Sequence, residues 1–179
     1  MGTPRLEDLP HYTWDDYQLW EGRWELIHGV PYAMTPAPNI RHQQVSQSIA
    51  ALLQKALDEC DACRALLPVD WKIDEDTVVQ PDNLVICHRE EKSYLTRAPA
   101  LIFEVLSRST AEKDRGVKFN LYEKEGVRHY VLVDPDEEVA KIYRLHEGRF
   151  IKQLDATTEH WEFDLGPCVL PFDFSRIWA

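Results

Sequence analysis

The runs Val78-Val79-Gln80-Pro81-Asp82-Asn83-Leu84-Val85-Ile86 and Ala100-Leu101-Ile102-Phe103-Glu104-Val105-Leu106 decide how this chain is read. Both are short and apolar, as buried strands are, and each carries one carboxylate. An ionised acid among Val, Ile, Leu and Phe bears a large desolvation cost unless a cation or hydrogen-bond donors meet it, so Asp82 and Glu104 need partners. Residues two apart in a strand share a face, which places Asp82 with Leu84 and Ile86, and Glu104 with Ile102 and Leu106. Paired strands lie about 4.8 Å apart, so the two carboxylates can share one hard cation of octahedral oxygen preference, and Mg²⁺ fits that description.

Upstream of these runs the periodicity is helical. Asn39 can cap a helix whose apolar positions Val45, Ile49, Leu52, Leu53 and Ala56 recur at 3.6-residue spacing. Before it, Thr13 to Trp20 reads as a short helix with Thr13 as N-cap, and Trp24 to Ile27 and Val30 to Met34 flank His28-Gly29 as an N-terminal hairpin. Strands are expected over Arg64 to Ile73, Val79 to Cys87 and Ala100 to Leu106. Ser109-Thr110-Ala111-Glu112 has capping-box form and opens a second helix through about Glu125, ended by Gly126. A strand follows at His129 to Val133, then a hairpin of Val139 to Leu145 with Arg149 to Leu154. The apolar tail with Phe172, Phe174, Ile177 and Trp178 can dock on the core or on a second subunit. The core order of helix, three strands, helix, strand predicts an α/β (α+β) fold, a central mixed β-sheet flanked by helices, with an added N-terminal hairpin and C-terminal strands.

At 179 residues and 44% hydrophobic content the chain can bury one substantial core, so a single domain over 1–179 is expected, with 1–11 as a flexible arm. The net charge of −11 argues against gripping long nucleic acid by broad electrostatics. It leaves room for a local basic groove. Most surplus acids, such as Glu90-Glu91 and Asp134 to Glu138, read as solvated surface. Cys60, Cys63, Cys87 and Cys168 are spaced as neither a disulfide framework nor a four-thiolate zinc site, because Cys87 and Cys168 stand alone; ordinary thiols in a reducing compartment are expected. The N-terminus lacks an apolar signal segment and no later run approaches a membrane span, so a soluble cytoplasmic protein is expected.

In the second helix Asp114, Lys118 and Tyr122 recur every four residues as one stripe, beside the stripe of Val117 and Leu121. A lysine so placed could reach over the sheet to a phosphate or an attacking water. A structural reading stands beside this: Asp82 could cap the turn after Pro81, and Glu104 could pair with Lys118 or Arg115 in a buried bridge. Glu25 is either a third acid of the same cleft or a solvent-facing strand acid. His42 reads first as a satisfied histidine at a helix start, with a supporting or substrate-contacting role as the alternative. Tyr122 reads as core with its hydroxyl toward the cleft. The tryptophans at 14, 20, 24, 71, 161 and 178 are too scattered in sequence to indicate a base-stacking platform.

Pro81-Asp82, followed 22 positions later by Glu104-Val105-Leu106, resembles the PD-(D/E)XK nuclease pattern, except that Leu106 stands where that superfamily has lysine. More specifically, Trp24-Glu25-Leu26-Ile27-His28-Gly29, Pro36-Ala37-Pro38 before His42, Val79-Gln80-Pro81-Asp82, Phe103-Glu104-Val105-Leu106-Ser107 with Ser109-Thr110, Asp114-Arg115-Gly116-Val117-Lys118, Leu121-Tyr122 and Val131-Leu132-Val133-Asp134-Pro135 are similar to the Uma-two family of restriction-endonuclease-like proteins. The resemblance runs over residues 12 to 150. It implies a restriction-endonuclease-like core and a Mg²⁺- or Mn²⁺-dependent endonuclease acting on DNA. Asp82, Glu104 and the backbone carbonyl of Val105 would be metal ligands, Lys118 would take the role Leu106 cannot, and Glu25, His42, Tyr122 and Asp114 would support them. Arg108 stands where the family more often has proline. A homodimer would suit cleavage of both strands. The alternative from another class is a catalytically inactive nuclease-fold module that binds nucleic acid or protein. A glycoside hydrolase using the two acids is a further rival, for which no aromatic-lined subsite pattern stands out.

Overall fold

Two prolines divide the expected strands. The computed structural model describes residues 9–34, 37–107 and 114–178, and in it the run from Arg64 to Ile73 breaks around Pro68 into β3 (Arg64–Leu66) and β4 (Trp71–Asp74). The run from Val79 to Cys87 breaks at Pro81, leaving β5 (Thr77–Val79) and β6 (Asn83–Ile86). Proline has no N–H for a ladder and fixes its own φ, so each run changes direction there and its halves enter different sheets. With the hairpin strands β1 (Trp24–Ile27) and β2 (Val30–Ala33), the first sheet has the order β2-β1-β5-β4. His28 and Gly29 turn the hairpin at φ 51 and 76, the positive values that a two-residue turn of matching twist requires.

The second sheet has six strands in the order β10-β9-β8-β7-β6-β3, completed by β7 (Leu101–Val105), β8 (His129–Asp134), β9 (Val139–His146) and β10 (Arg149–Ala156). It is mixed, as expected: β7 and β8 run parallel and the other neighbours antiparallel. The parallel pair requires a crossover, which passes through a π-helical turn at Asp114–Lys118 and then a helix at Phe119–Glu125. Gly126 ends that helix in the left-handed conformation at φ 82. The expected capping box at Ser109 to Glu112 lies outside the described residues. Val117, expected beside Leu121 on one stripe, is instead exposed in the π turn.

Alternation along β7 divides the core in two. Leu101, Phe103 and Val105 face the side covered by the long helix Ile40–Ala56, which is capped by Asn39 and contributes Val45, Ile49 and Leu53. Ile102 and Leu106 face Leu121, Tyr122, Tyr130 and Trp71. The chain closes with a separate hairpin, β11 (His160–Asp164) and β12 (Val169–Asp173), and a 3₁₀ turn at Phe174–Arg176. Phe172, Phe174, Ile177 and Trp178 are buried on the long-helix side, so the tail docks on its own core. Near the N-terminus the helix is shorter than expected, Trp14–Tyr17, with the Asp16 carboxylate accepting from the Thr13 backbone N–H at 2.8 Å.

The cysteines require a correction. Antiparallel pairing of Arg64 with Ile86 brings Cys63 beside Cys87, and the turn between β11 and β12 brings Cys168 to Cys60. Cys60 is bonded to Cys168 and Cys63 to Cys87. Linear spacing could not reveal this, because strand register and hairpin docking made the juxtaposition. Among the described residues no helix is long and apolar enough to cross a membrane.

Candidate active site

Glu104 occupies the fourth position of β7, on the face opposite Phe103 and Val105, and is only 2% exposed. Two side chains from the crossover meet it. The Lys118 ammonium, at the end of the π turn, lies 2.8 Å from Glu104 Oε1, and the Tyr122 hydroxyl donates to the same oxygen at 2.7 Å. The expected four-residue stripe thus brings Lys118 and Tyr122 together; the side chain of Asp114 lies outside the described residues. Arg115 turns to the surface, where it pairs with Asp134 at 3.3 Å.

Glu25 is fully buried on β1, not solvent-facing, and its Oε1 lies 2.7 Å from Lys118 Nζ while also accepting the Gln80 backbone N–H at 2.9 Å. One ammonium therefore sits between two carboxylates from different sheets. Asp82 is not within a strand. Pro81 interrupts the ladder and Asp82 forms a bend just before β6, one step beyond the pairing of Asn83 with Phe103 and so opposite Glu104. Off the sheet's end, its Oδ2 accepts the Val105 backbone N–H at 2.9 Å and lies 3.4 Å from His42 Nε2. His42 is aimed there by the helix start, where Asn39 Oδ1 accepts its backbone N–H at 2.8 Å. Leu106 is buried among apolar side chains two residues beyond Glu104.

The cluster has more negative than positive charge: Asp82, Glu104 and Glu25 against Lys118 and, when protonated, His42. Burial pushes the Asp82 carboxyl up, but the His42 hydrogen bond and charge, the Lys118 ammonium and the Val105 N–H outweigh it and hold the group below the usual carboxylate range. Burial and the Glu104 charge push the Tyr122 hydroxyl well above its ordinary value, so it stays a donor. Hard oxygen donors with surplus negative charge fit a small divalent cation.

Three features escaped the reading of the sequence. The first two are backbone donors, Gln80 N–H to Glu25 and Val105 N–H to Asp82, which no side-chain pattern signals. The third is aromatic: Trp14, Trp20 and Trp24 gather with Tyr12 and Tyr17, so half of the scattered tryptophans do form one cluster. The three tryptophans and Tyr17 border a cleft of about 410 Å³ that Gln80, Asp70 and Tyr94 also line. The signal was present, since Trp14 and Tyr17 are three apart on one helix and Trp24 must face away from its buried neighbour Glu25.

The model of the family Uma2, described as "Putative restriction endonuclease", matches residues 14–174. An uncharacterized protein of Synechocystis sp. is 30% identical over 150 residues, covering 80% of this chain and 76% of its own length. A crystal structure of a "putative nuclease belonging to DUF820" from Anabaena variabilis superposes with a TM-score of 0.75 at 19% identity, over 93% of this chain and 97% of that one. The fold is accordingly restriction-endonuclease-like.

Proposed function

The chain belongs to the Uma2 family, and on that premise we propose that it is a metal-dependent endonuclease hydrolysing DNA phosphodiester bonds. The observation that carries the reading is Lys118, which reaches from the crossover into the sheet to lie against Glu104 and Glu25, and whose charge helps to hold the Asp82 carboxyl low. A cation thus stands in the acid cluster although the strand position, Leu106, is apolar.

Asp82, Glu104 and the backbone carbonyl of Val105 would hold Mg²⁺ or Mn²⁺. When bound, such an ion polarises a scissile phosphate and lowers the pKa of a coordinated water. Lys118, buried and fixed at two points, would orient the nucleophilic water and counter charge on the phosphate. Glu25 would anchor Lys118, Tyr122 would hold the Glu104 carboxylate by its hydrogen bond, and His42 would hold Asp82 in its ionised form. Hydrolysis would be in-line, with charge stabilisation and no covalent protein intermediate. Cutting both strands would call for two copies of the site, which a homodimer supplies.

The test is calorimetric titration of Mg²⁺ and Mn²⁺ into wild type and Asp82→Ala, with plasmid and single-stranded DNA incubated beside it. Metal binding and nicking that disappear together in the variant are expected. Neither binding at millimolar metal nor cleavage would instead favour the inactive module, in which the Lys118 bridge serves structure alone.

A further inference from the structure

The four cysteines form a second constellation, apart from the acid cluster. Cys63 belongs to the core on the long-helix side, and Cys60, Cys87 and Cys168 pack against it, whereas Glu104 faces the other way. Cys60 and Cys63 lie in a tight turn just beyond the long helix, with the Cys60 N–H donating to Leu57 O at 2.9 Å and the Cys63 N–H to Cys60 O at 3.4 Å. Cys87 directly follows β6. Cys168 lies in a turn closed by the Leu165 N–H donating to its carbonyl at 2.9 Å.

The sulfurs of Cys60, Cys63 and Cys168 all lie within 4.8 Å of one another, and that of Cys87 is bonded to that of Cys63. Three of the sulfurs therefore converge, and the fourth is joined to one of them. Two independent disulfides need no such convergence, whereas a tetrahedral zinc thiolate does: with Zn–S near 2.3 Å its sulfurs stand roughly 3.8 Å apart. Two thiols in a C-x₂-C turn and two from separate elements are also the ligand supply of structural zinc sites. We propose that the thiol form of this chain binds one Zn²⁺ through Cys60, Cys63, Cys87 and Cys168.

Binding displaces four thiol protons and forms four Zn–S bonds, so no oxidant is involved; the two disulfides would instead require removal of four electrons. Thiolate softness selects zinc here and excludes the Mg²⁺ suited to the acid cluster. With four protein ligands the site has no open position, so its role is structural: it ties the end of the long helix and the end of β6 to the hairpin that carries Phe163, Leu170 and Phe172.

The test uses the full chain reduced with a phosphine and freed of metal, titrated with Co²⁺ as a spectroscopic probe and then with Zn²⁺. The expected result is thiolate-to-cobalt charge transfer with tetrahedral visible bands, saturating at one equivalent, bleached by Zn²⁺, unchanged in Asp82→Ala and lost in Cys63→Ser and Cys168→Ser. Cells lysed in denaturant with an alkylating agent should yield all four cysteines alkylated. Absence of a stoichiometric cobalt spectrum in the folded wild type overturns the proposal whatever the variants do, and so does recovery of the Cys60–Cys168 and Cys63–Cys87 disulfides from those lysates.

Discussion

Replacing Lys118 by Met keeps the length and apolar stem of the side chain and removes only the ammonium. In the wild type that ammonium lies 2.7 Å from Glu25 Oε1 and 2.8 Å from Glu104 Oε1, so the two oxygens are at most 5.5 Å apart. Without it, two unit charges at that separation repel by about 3 kcal/mol at an effective dielectric constant of 20. This agrees with the roughly 3–5 kcal/mol lost when a buried pair is broken from one side. For a chain of this size about 3 kcal/mol lowers Tm by roughly 6–12 °C. The deficit should shrink as pH falls, because the folded variant takes up a proton between the carboxylates that its unfolded chain does not hold. Thermal and urea unfolding at pH 8 and pH 5 measure this, with Lys118→Met/Glu25→Gln as the control that removes one of the repelling charges and recovers part of the loss. A single variant within 2 °C of wild type at pH 8, or a double variant no more stable than the single one, would refute the shared-cation account.

Asp82 titrates below its ordinary value of 3.8 in the fold, so it contributes stability above that pH and loses it as pH falls further. The stability gap between wild type and Asp82→Asn, followed by urea unfolding from pH 7 to 3, should be flat at first and narrow below about pH 4. His129 is held neutral chiefly by burial, against the opposing hydrogen bond to the Asp164 carbonyl, and its lowered titration means that stability falls as pH drops below 6.5. NMR of its ring protons should place its midpoint below 6.5; a midpoint above that value would contradict the burial argument. Phe103, fully buried against Phe163, Phe172 and Phe174, should cost about 3–5 kcal/mol when cut to Ala, read as an earlier urea midpoint with an unchanged slope. Gly126→Ala, at φ 82, should cost about 1 kcal/mol through backbone strain, since no neighbouring atom lies within 4 Å of an added Cβ.

Local chemistry was legible in the sequence. The Asn39 cap and the periodicity of Val45, Ile49 and Leu53 specify the long helix, His28-Gly29 specifies the hairpin, and Gly126 specifies the helix end, because each acts over only a few residues. Acids in apolar runs identified Asp82 and Glu104 as residues in need of partners, since desolvation is a property of the residue and its immediate neighbours. Which partners they have was decided by tertiary structure. Pro68 and Pro81 could be read as breaks, but not that the halves would enter two sheets and bring Glu25 from one to face Glu104 in the other across Lys118. The same holds for the four cysteines, up to 108 positions apart, which meet because Arg64 pairs with Ile86 and the last hairpin folds back over the long helix. Spacing along the chain carries information about neighbours within a turn or a strand; contacts between distant segments depend on strand register and layer packing, which only the cooperative burial of the whole core selects.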